Sequence, residues 1–398
     1  MKNKEEQTAP KLRFKGYTDA WQQSKLADRL KIHSGKDYKE LNIGKIPVYG
    51  TGGYMLSVDK SLSKKDAIGI GRKGTINKPQ LLHAPFWTVD TLFYLTPKAN
   101  NNLNFLFYLF QNINWNKYDE STGLPSLSKK TINNIKENTP SKSEQKKIGR
   151  FLLKLDNIVT LLQRKVKKYN TLKTALLQNL FPKNKEIVPS LKNKEIVPSL
   201  RFKNFTDTWQ QRKLKDVGKA FSGIGFPEKE QSGKNGIPFF KVSDMSLQGN
   251  EIEMKVAQNY VTTEQIISNN WHPLNEVPAI FFAKVGAAIF LNRKRLCRKP
   301  FLFDNNTMAF SLDINKLNID FTKKLFETIY LPSFAQVGAL PSYNNQDIEN
   351  IKVQIPFINE QKKIGMLLSE LDKTLILLQK QKKALTNLKK FLLQNMFI

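Results

Sequence analysis

The sequence has little cysteine and little histidine. Its 398 residues contain one cysteine, Cys297, and three histidines. A single thiol excludes an internal disulfide framework and a zinc site built from several thiolates. The histidines, at His33, His83 and His272, are scattered along the chain, which argues against a metal centre. We therefore expect no metal ion held by this chain.

Long uncharged apolar runs are also missing. No stretch approaches the ~20 apolar residues of a membrane-spanning helix, and the beginning, MKNKEEQTAPKLRF, lacks the apolar core of a signal peptide. Apolar residues make up 40% of the chain and aromatic residues 11%, as in a folded protein. We predict a cytoplasmic protein with no membrane partner, long enough for more than one domain.

Motifs of catalytic and nucleotide-binding sites are absent or incomplete. The sequence has no P-loop, no NPPY-like or DPPY-like methyltransferase motif and no serine–histidine–aspartate arrangement. Gly69–Gly74 fits the GxGxxG dinucleotide pattern, but Pro79 interrupts the helix that this fold needs. The favoured prediction is a non-catalytic chain without a cofactor of its own. The alternative is a metal-dependent nuclease that uses Asp244, Glu253 and Lys255.

Acidic residues are scarce relative to basic ones. There are 34 aspartates and glutamates against 64 lysines and arginines, and the formal net charge is +30. The excess is spread over every part of the chain. A polyanion is the natural partner, and nucleic acid is favoured over a membrane because no lipid-directed segment is present. A basic surface that only provides solubility is the alternative.

Two long heptad patterns dominate what the sequence does contain. In Ser143–Phe181 apolar residues alternate in steps of four and three, and the pattern recurs 216 positions later in Glu360–Ile398. In both copies the stripe changes phase near its end, at Leu172 and at Leu388. Such spacing predicts two helices, each about 57 Å long, that pack on each other as a coiled coil. Two amphipathic helices that each cover their own domain are the alternative.

A larger repeat encloses these helices. The lead-in segment Pro10–Leu26 recurs 188 positions later as Pro198–Leu214, so the second domain is 28 residues longer than the first. Such a period is far above that of solenoid repeats and indicates two domain-sized copies. The predicted parts are a polar tail (1–9), a first domain (10–141), a first long helix (142–182), a linker (183–197), a second domain (198–357) and a second long helix (358–398).

Both domains are predicted to have a mixed α/β (α+β) fold. Short β-branched or aromatic runs bounded by Gly, Pro or Asn predict strands. The predicted strands are Ile46–Tyr49, Ala67–Ile70, Phe86–Tyr94, Ile237–Val242, Ala279–Lys284 and Met308–Leu312, and the predicted helices are Asn104–Asn112 and Phe321–Tyr330. The domain interiors differ in sequence although their flanks match. This indicates a common scaffold that holds two dissimilar surfaces.

The linker contains a nine-residue unit in tandem, KNKEIVPSLKNKEIVPSL, at Lys183–Leu200. One extended copy reaches about 30 Å and two reach about 60 Å. A short linker keeps the second domain near the end of the first helix, which predicts an antiparallel helix pair and a pseudo-two-fold repeat. Two copies loosen this argument, and a slack loop is the alternative. Deletion of Lys192–Leu200 is expected to change the separation of the two domains' targets.

Candidate nucleic-acid contacts are basic and polar side chains in glycine-rich or charged loops. Gly69–Gly74 presents two basic residues, and Arg293–Lys299 holds five basic residues in seven. Such side chains suit phosphate groups and base edges, whereas plain solvated turns are the alternative. The candidates are Tyr49, Thr51, Gly52, Arg72, Lys73, Lys241, Ser243, Lys284, Arg293, Arg295, Asn305 and Asn306.

Taken together, these parts resemble the specificity subunit of type I restriction-modification systems. The resemblance covers nearly the whole chain and rests on two LRF…W…KL lead-ins, two variable domains, the exits at Pro125 and Pro341, and the twin EQKKIG helices. Gly16 in place of Asn204 and the tandem linker depart from the repeated pattern. The linker leaves the spacing of the two DNA half-sites open.

The resemblance implies two target-recognition domains, each of which binds one half of a split site in double-stranded DNA. The helices are then the rod that separates them and docks two modification subunits, which bring S-adenosylmethionine and flip adenines for methylation. Restriction subunits bring translocation and cleavage that depend on ATP and Mg²⁺. Partner contacts are expected in the first turn of each long helix, at Gln145, Lys146, Lys147, Gln361, Lys362 and Lys363.

Overall fold

The computed structural model describes residues 9–182, 197–336 and 340–398. The chain divides into two compact units: the first comprises Met1–Lys165 and Leu378–Ile398, and the second Val166–Leu377. The division falls inside both long helices, so each unit holds one domain and a segment of each helix. Most of the predicted tail and of the tandem linker lies outside the described residues. No helix in the described ranges is long and apolar enough to cross a membrane.

The described residues of the first unit contain three sheets. Its strands are β1 (Gln22–Lys25), β2 (Leu30–Ser34), β3 (Ile43–Gly50), β4 (Gly53–Val58), β5 (Ala67–Gly71), β6 (Gln80–Leu82), β7 (Trp87–Thr88), β8 (Leu92–Pro97) and β9 (Lys136–Thr139). Its helices are α1 (Leu26–Arg29), α2 (Leu103–Asn112), α3 (Lys129–Asn134) and the first part of α4 (Lys142–Leu180). The strand orders are β2-β8-β5-β6, β4-β3-β7 and β1-β9, and only β3 and β7 pair in parallel.

The second unit repeats these sheets. Its strands are β10 (Gln210–Lys213), β11 (Gly218–Ser222), β12 (Ile237–Phe240), β13 (Asn259–Val261), β14 (Ala279–Ala283), β15 (Lys294–Cys297), β16 (Leu302–Phe303), β17 (Thr307–Leu312) and β18 (Lys352–Ile355). Its helices are α5 (Thr263–Ser268), α6 (Ile319–Thr328), α7 (Asn345–Glu349) and the first part of α8 (Ile358–Asn395). The strand orders β11-β17-β14-β15, β13-β12-β16 and β10-β18 match those of the first unit position by position.

Most predicted elements are present, and one predicted strand is wrong. Phe86–Tyr94 is not one strand, because β7 and β8 belong to different sheets and a turn at Val89–Thr91 separates them. Asp90 is the only turn-forming residue in that run, so the sequence gives little indication that two strands meet there. The strand predicted at Ile237–Val242 ends at Phe240, and a 3-10 turn begins at Val242.

Each domain core includes helix segments from both halves of the sequence. In the first unit one core joins β5 and β8 to α2, to the start of α4 and to the end of α8. In the second unit the core joins β14 and β17 to α6, to the start of α8 and to the end of α4. β5, β14 and β17 are buried along their whole length, which explains why β5 and β14 contain only apolar residues and glycine. Each domain is therefore completed by the helix that follows the other domain.

In the first unit α4 and α8 run antiparallel. The Lys389 Nζ of α8 lies 2.7 Å from the Asp156 carboxylate of α4. Phe397, just past the end of α8, stacks on Phe105 with ring centroids 5.4 Å apart, and Phe105 lies against Gly149 near the start of α4. Later positions of α8 thus meet earlier positions of α4, which sets the direction.

The second unit repeats this arrangement with the roles of the helices exchanged. The Lys173 Nζ of α4 lies 2.8 Å from the Asp372 carboxylate of α8. Phe181 stacks on Phe321 with ring centroids 5.4 Å apart, and Phe321 lies against Gly365 near the start of α8. The predicted antiparallel pairing of the two helices is confirmed in both units.

The change of phase in the apolar stripe coincides with a charged contact between the two helices. Leu172 and Leu388 continue the apolar stripe in the sequence, but their side chains are 45% and 43% exposed. The following residues, Lys173 and Lys389, face the antiparallel helix instead and pair with its aspartate. A charged contact thus replaces an apolar one at this level of each helix pair.

The first turn of each long helix is fixed to its own domain. Gln145 accepts a hydrogen bond from the Asn102 N–H (2.9 Å) and donates one to the Pro140 carbonyl (3.0 Å), and Gln361 makes the same two bonds in the second unit. Both glutamines are 1% exposed. The expectation that they contact partner subunits is therefore wrong. The other four predicted partner contacts, Lys146, Lys147, Lys362 and Lys363, are exposed.

Candidate nucleic-acid interface

Three loops meet at one edge of the first unit: L1 after β3 (Thr51–Gly52), L2 after β5 (Arg72–Gly74) and L3 between β7 and β8 (Val89–Thr91). The N–H of Val89, in L3, donates to the carbonyl of Tyr49, which precedes L1, at 3.0 Å. The N–H of Arg72, in L2, donates to the carbonyl of Thr91, in L3, at 2.8 Å. The loops therefore form one continuous surface, which we call the three-loop surface.

The second unit has an equivalent three-loop surface: L1 after β12 (Lys241–Gln258), L2 after β14 (Lys284–Gly286) and L3 between β16 and β17 (Asp304–Asn306). The Asp304 N–H donates to the Phe240 carbonyl at 3.1 Å, and the Lys284 N–H donates to the Asn306 carbonyl at 2.8 Å. These two backbone bonds are the counterparts of the two in the first unit. The same scaffold therefore positions the loops twice.

L2 is a sharp turn in both units. It ends at Gly74 or Gly286, whose φ angles of 88° and 78° favour glycine. The N–H of each glycine donates to the carbonyl of a proline in the exit segment, Pro125 at 2.8 Å or Pro341 at 2.9 Å. In the first unit L2 leads to β6 without a helix, so the GxGxxG match lacks the βαβ context of a dinucleotide site.

The structure brings the five candidates of the first domain together. Arg72 and Lys73 are exposed on L2, and the Arg72 guanidinium lies 5.9 Å from the centre of the Phe93 ring. Thr51 and Gly52 form the turn of a β-hairpin rather than an open loop, with Tyr49 in the preceding strand. L1 also touches L2, because a Cβ on Gly74 would lie 3.8 Å from the Thr51 Oγ1.

The candidates of the second domain also fall on the three-loop surface, except for the basic run. Ser243 is exposed on L1, and Asn305 and Asn306 are exposed on L3. Lys241 begins L1, with its Nζ 2.6 Å from the Gln231 Oε1. Lys284 begins L2, with its Nζ 3.0 Å from the Ser222 Oγ.

The basic run Arg293–Lys299 does not form one exposed face. It contains β15, along which side chains alternate in direction. Lys294 is 7% exposed. The Arg295 guanidinium donates to the carbonyls of Asn250 (2.6 Å) and Met245 (3.4 Å), both in L1. Arg295 therefore holds L1 in place, whereas Arg293 reaches the Ser246 Oγ at 2.8 Å.

Asp244 also fixes the conformation of L1. Its buried carboxylate accepts hydrogen bonds from the N–H groups of Lys241 (2.8 Å) and Gln258 (3.0 Å), at the two ends of L1. Burial raises the pKa of Asp244, while these two N–H bonds lower it. Glu253 pairs with Arg298 at 3.0 Å. Across residues 9–182, 197–336 and 340–398 no group of three or more His, Cys, Asp or Glu could hold a metal ion.

Three further residues of these surfaces have no recognisable motif in the sequence. Gln80 donates to the carbonyls of Gly50 (2.9 Å) and Thr51 (3.2 Å) and so supports L1 from β6. Asn250 is fully buried within L1 of the second unit, and its side chain forms hydrogen bonds with the main chain of that loop. The Lys129 Nζ lies 5.8 Å from the centre of the Phe93 ring, which the Arg72 guanidinium also approaches. Their roles depend on contacts between segments that are distant in sequence.

Comparison with known proteins identifies the family. Residues 18–172 and 206–387 match the type I restriction modification DNA specificity domain, with one matched region in each half of the chain. The chain belongs to this DNA specificity family. Both matched regions include a three-loop surface and reach into a long helix.

Individual relatives of this DNA specificity chain are distant in sequence. Over 294 residues the chain is 25% identical to the type I restriction enzyme MjaVIII specificity subunit of Methanocaldococcus jannaschii, which covers 68% of this chain and 63% of that protein. The chain thus spans less than two thirds of that relative. The crystal structure of a type I restriction-modification system S subunit from M. genitalium has a TM-score of 0.71 and 16% identity, and covers 98% of this chain and 99% of that one. This likeness shows a shared fold.

Proposed function

We propose that the chain is the non-catalytic specificity subunit of a type I restriction-modification complex. Each three-loop surface reads one half of a bipartite site in double-stranded DNA. The observation that carries this proposal is the duplicated surface itself, in which equivalent backbone hydrogen bonds tie together loops of different length and composition. Membership of a DNA specificity family and the net charge of +30 support it.

The two half-sites differ in sequence because the loops differ. L1 is a two-residue turn in the first unit, whereas in the second it is the long segment Lys241–Gln258 with its own 3-10 turn. L3 presents Asp90 and Thr91 in the first unit and two asparagines in the second. Asparagine side chains suit the adenine edge in the major groove, and basic residues suit guanine or phosphate.

Partner subunits supply the chemistry in this proposal. Two modification subunits bring S-adenosylmethionine and methylate adenine, and restriction subunits bring ATP- and Mg²⁺-dependent cleavage. The exposed lysines in the first turn of α4 and α8 are proposed contacts for these partners. DNA is the substrate of the complex, and we place the complex in the cytoplasm.

Methylome sequencing tests the proposal. The chain is produced with its modification subunit in a host that lacks adenine methylation. We expect methylated adenine in a split motif with a fixed spacer, because two separate surfaces each read a short element. Cells with the modification subunit alone are the control. Methylation that does not depend on the chain, or a continuous motif, would contradict the proposal.

A loop exchange assigns the half-sites. Replacing Lys241–Gln258 with the L1 of another member of the family is expected to change one half of the motif and leave the other half unchanged. The buried Asp244 and Asn250, which hold this loop together, are replaced with it. A change in both halves would show that the two surfaces do not read independently.

A cleavage assay tests the nuclease alternative. Purified chain incubated with plasmid DNA and Mg²⁺ is expected to leave the DNA intact, because Asp244 is engaged with the main chain and Glu253 with Arg298. Cleavage that Asp244→Asn abolishes would restore the alternative.

A further inference from the structure

The first residue of L2 is basic in both units and occupies an equivalent position. AIGIGRKG, Ala67–Gly74, aligns with AIFFAKVG, Ala279–Gly286, so Arg72 corresponds to Lys284. The N–H of each of these residues donates to L3, at 2.8 Å in both units. The carbonyl of each accepts a hydrogen bond from the exit segment, from Leu127 at 2.9 Å or Tyr343 at 3.2 Å. The backbone therefore holds the two basic residues in the same way.

In the first unit Arg72 has a basic neighbour. The Lys129 Nζ and the Arg72 guanidinium lie 5.8 Å and 5.9 Å from the centre of the Phe93 ring. Both residues are exposed, and neither side chain has a hydrogen bond or an ion pair within the part of the chain that the structure describes. Two cations with open donors therefore flank one aromatic ring.

In the second unit an amide takes the place of the second cation. Lys129 is the first residue of α3, and Asn345 is the first residue of α7, after the equivalent cap. The Lys284 Nζ lies 3.0 Å from the Ser222 Oγ, which lies 2.8 Å from the Asn345 Oδ1. This site therefore holds one cation on a hydrogen-bonded chain instead of two.

Contacts to DNA phosphates carry no sequence information, so they need not change when a domain reads a different half-site. L1 and L3 differ between the units in length or composition, whereas the basic position of L2 is retained. We propose that Arg72 and Lys129 of the first domain and Lys284 of the second bind backbone phosphates of the DNA. This inference rests on the proposed function. L1 and L3 then carry the base contacts.

Salt dependence of DNA binding tests this inference. The full chain is titrated onto a fluorescent duplex of scrambled sequence at several salt concentrations, and log K is plotted against log salt. Each neutralised phosphate contributes about 0.9 to the slope on B-DNA. We expect Arg72→Ala, Lys129→Ala and Lys284→Ala each to reduce the slope by about 0.9. Arg72→Lys is expected to retain it.

The asymmetry between the domains provides a gain-of-contact test. Asn345→Lys introduces at the start of α7 the cation that α3 already carries. We expect this variant to bind DNA more tightly and to have a salt slope steeper by about 0.9. Lys129→Asn is the reciprocal change and should behave like Lys129→Ala.

Matched controls lie at the opposite end of the same sheets. Lys64 is exposed and precedes β5, and Lys299 is exposed and follows β15 beside the start of β14. Lys64→Ala and Lys299→Ala are expected to leave the slope unchanged. Thermal unfolding verifies that all variants are folded.

Two results would overturn the inference. One is an unchanged slope for Arg72→Ala and Lys284→Ala. The other is a loss of affinity that is confined to the methylated motif, which would make these residues base readers. Failure of the proposed function is separate, because it would appear as a wild-type chain that directs no split methylation motif.

Discussion

Lys294 shows why a basic residue in the sequence is not always a basic residue at the surface. Its Nζ donates to the Ile329 carbonyl and the Asn292 Oδ1, both at 2.6 Å, and the residue is 7% exposed. Burial lowers the pKa of Lys294 to about 7, although Glu327 acts in the opposite direction. Its place in a run with five basic residues in seven gives no indication of this, because the run does not show which residues of β15 face inward.

The lowered pKa of Lys294 predicts a pH dependence of stability. Above about pH 7 the folded chain holds a neutral amine, whereas the unfolded chain keeps the proton up to its ordinary pKa of 10.5. Because the unfolded state binds more protons, the free energy of unfolding rises with pH in this window, by up to about 1.4 kcal/mol per pH unit. Lys294→Met should remove this contribution, as measured by urea denaturation at a series of pH values.

The comparison between wild type and variant isolates this residue. The pKa of Lys323 is also lowered by burial, to about 8, so the wild-type slope contains both lysines. Lys299→Met, at an exposed position, is the control and should keep the wild-type slope. Equal slopes for wild type and Lys294→Met would show that Lys294 is not neutral in the folded state.

At the scale of elements, the sequence predicted the long helices and most strands because their periodicity is local. It missed the turn between β7 and β8, because consecutive residues there enter two different sheets. That turn is L3, so the wrongly predicted strand includes part of the candidate nucleic-acid interface. In the sequence, Arg72 and Lys284 are candidates by residue type alone, each in its own domain. The paired backbone hydrogen bonds show that they are also equivalent in position.

The start of each long helix packs on the start of a shorter one. A Cβ on Gly149 would lie 2.6 Å from the Phe105 backbone nitrogen and 2.7 Å from the Asn102 Oδ1, and Gly365 meets equivalent atoms of the second unit. Backbone atoms cannot move away as a flexible side chain can. Glycine is therefore needed at these positions for close approach of α4 to α2 and of α8 to α6.

Gly149→Ala is expected to destabilise the first unit. In an isolated helix alanine is favoured over glycine by about 1 kcal/mol. Here we expect the clash to exceed that gain and to lower the free energy of unfolding by about 1–3 kcal/mol. Gly123→Ala, where a Cβ meets nothing within 4 Å, is the matched control. Thermal unfolding measures both, and a Gly149→Ala variant as stable as wild type would refute the close approach.

At the scale of the whole molecule, the sequence repeat predicted two similar domains and an antiparallel helix pair. It did not predict that each domain core is completed by the end of the other domain's helix. The offsets of 188 positions for the lead-in segments and 216 for the long helices show which segments correspond, but they do not show which segments touch. Contacts such as that of Phe397 with Trp21 join residues near opposite ends of the sequence, and only the structure reveals them.

These contacts change the expectation for the tandem linker. In the second unit the Leu200 N–H donates to the Asn179 carbonyl at the end of α4, at 2.9 Å. In the first unit the equivalent Leu12 N–H donates to the Asn395 carbonyl at the end of α8, at 2.8 Å. No linker joins Leu12 to Asn395, yet the same contact forms. The lead-in segment therefore docks on the helix end without help from a covalent connection.

Deletion of one nine-residue unit, Lys192–Leu200, is accordingly expected to leave the spacer of the methylated motif unchanged, contrary to the expectation from linker length. The deletion leaves an identical copy, so Arg201 is still preceded by VPSL and the bond to Asn179 can re-form. Eleven residues then join Asn179 to the new lead-in leucine, and their extended reach of about 36 Å is ample for ends that meet in a hydrogen bond. Methylome sequencing of cells that carry the deletion measures the spacer. A changed spacer would mean that linker length, rather than docking of the lead-in, sets the separation of the half-sites.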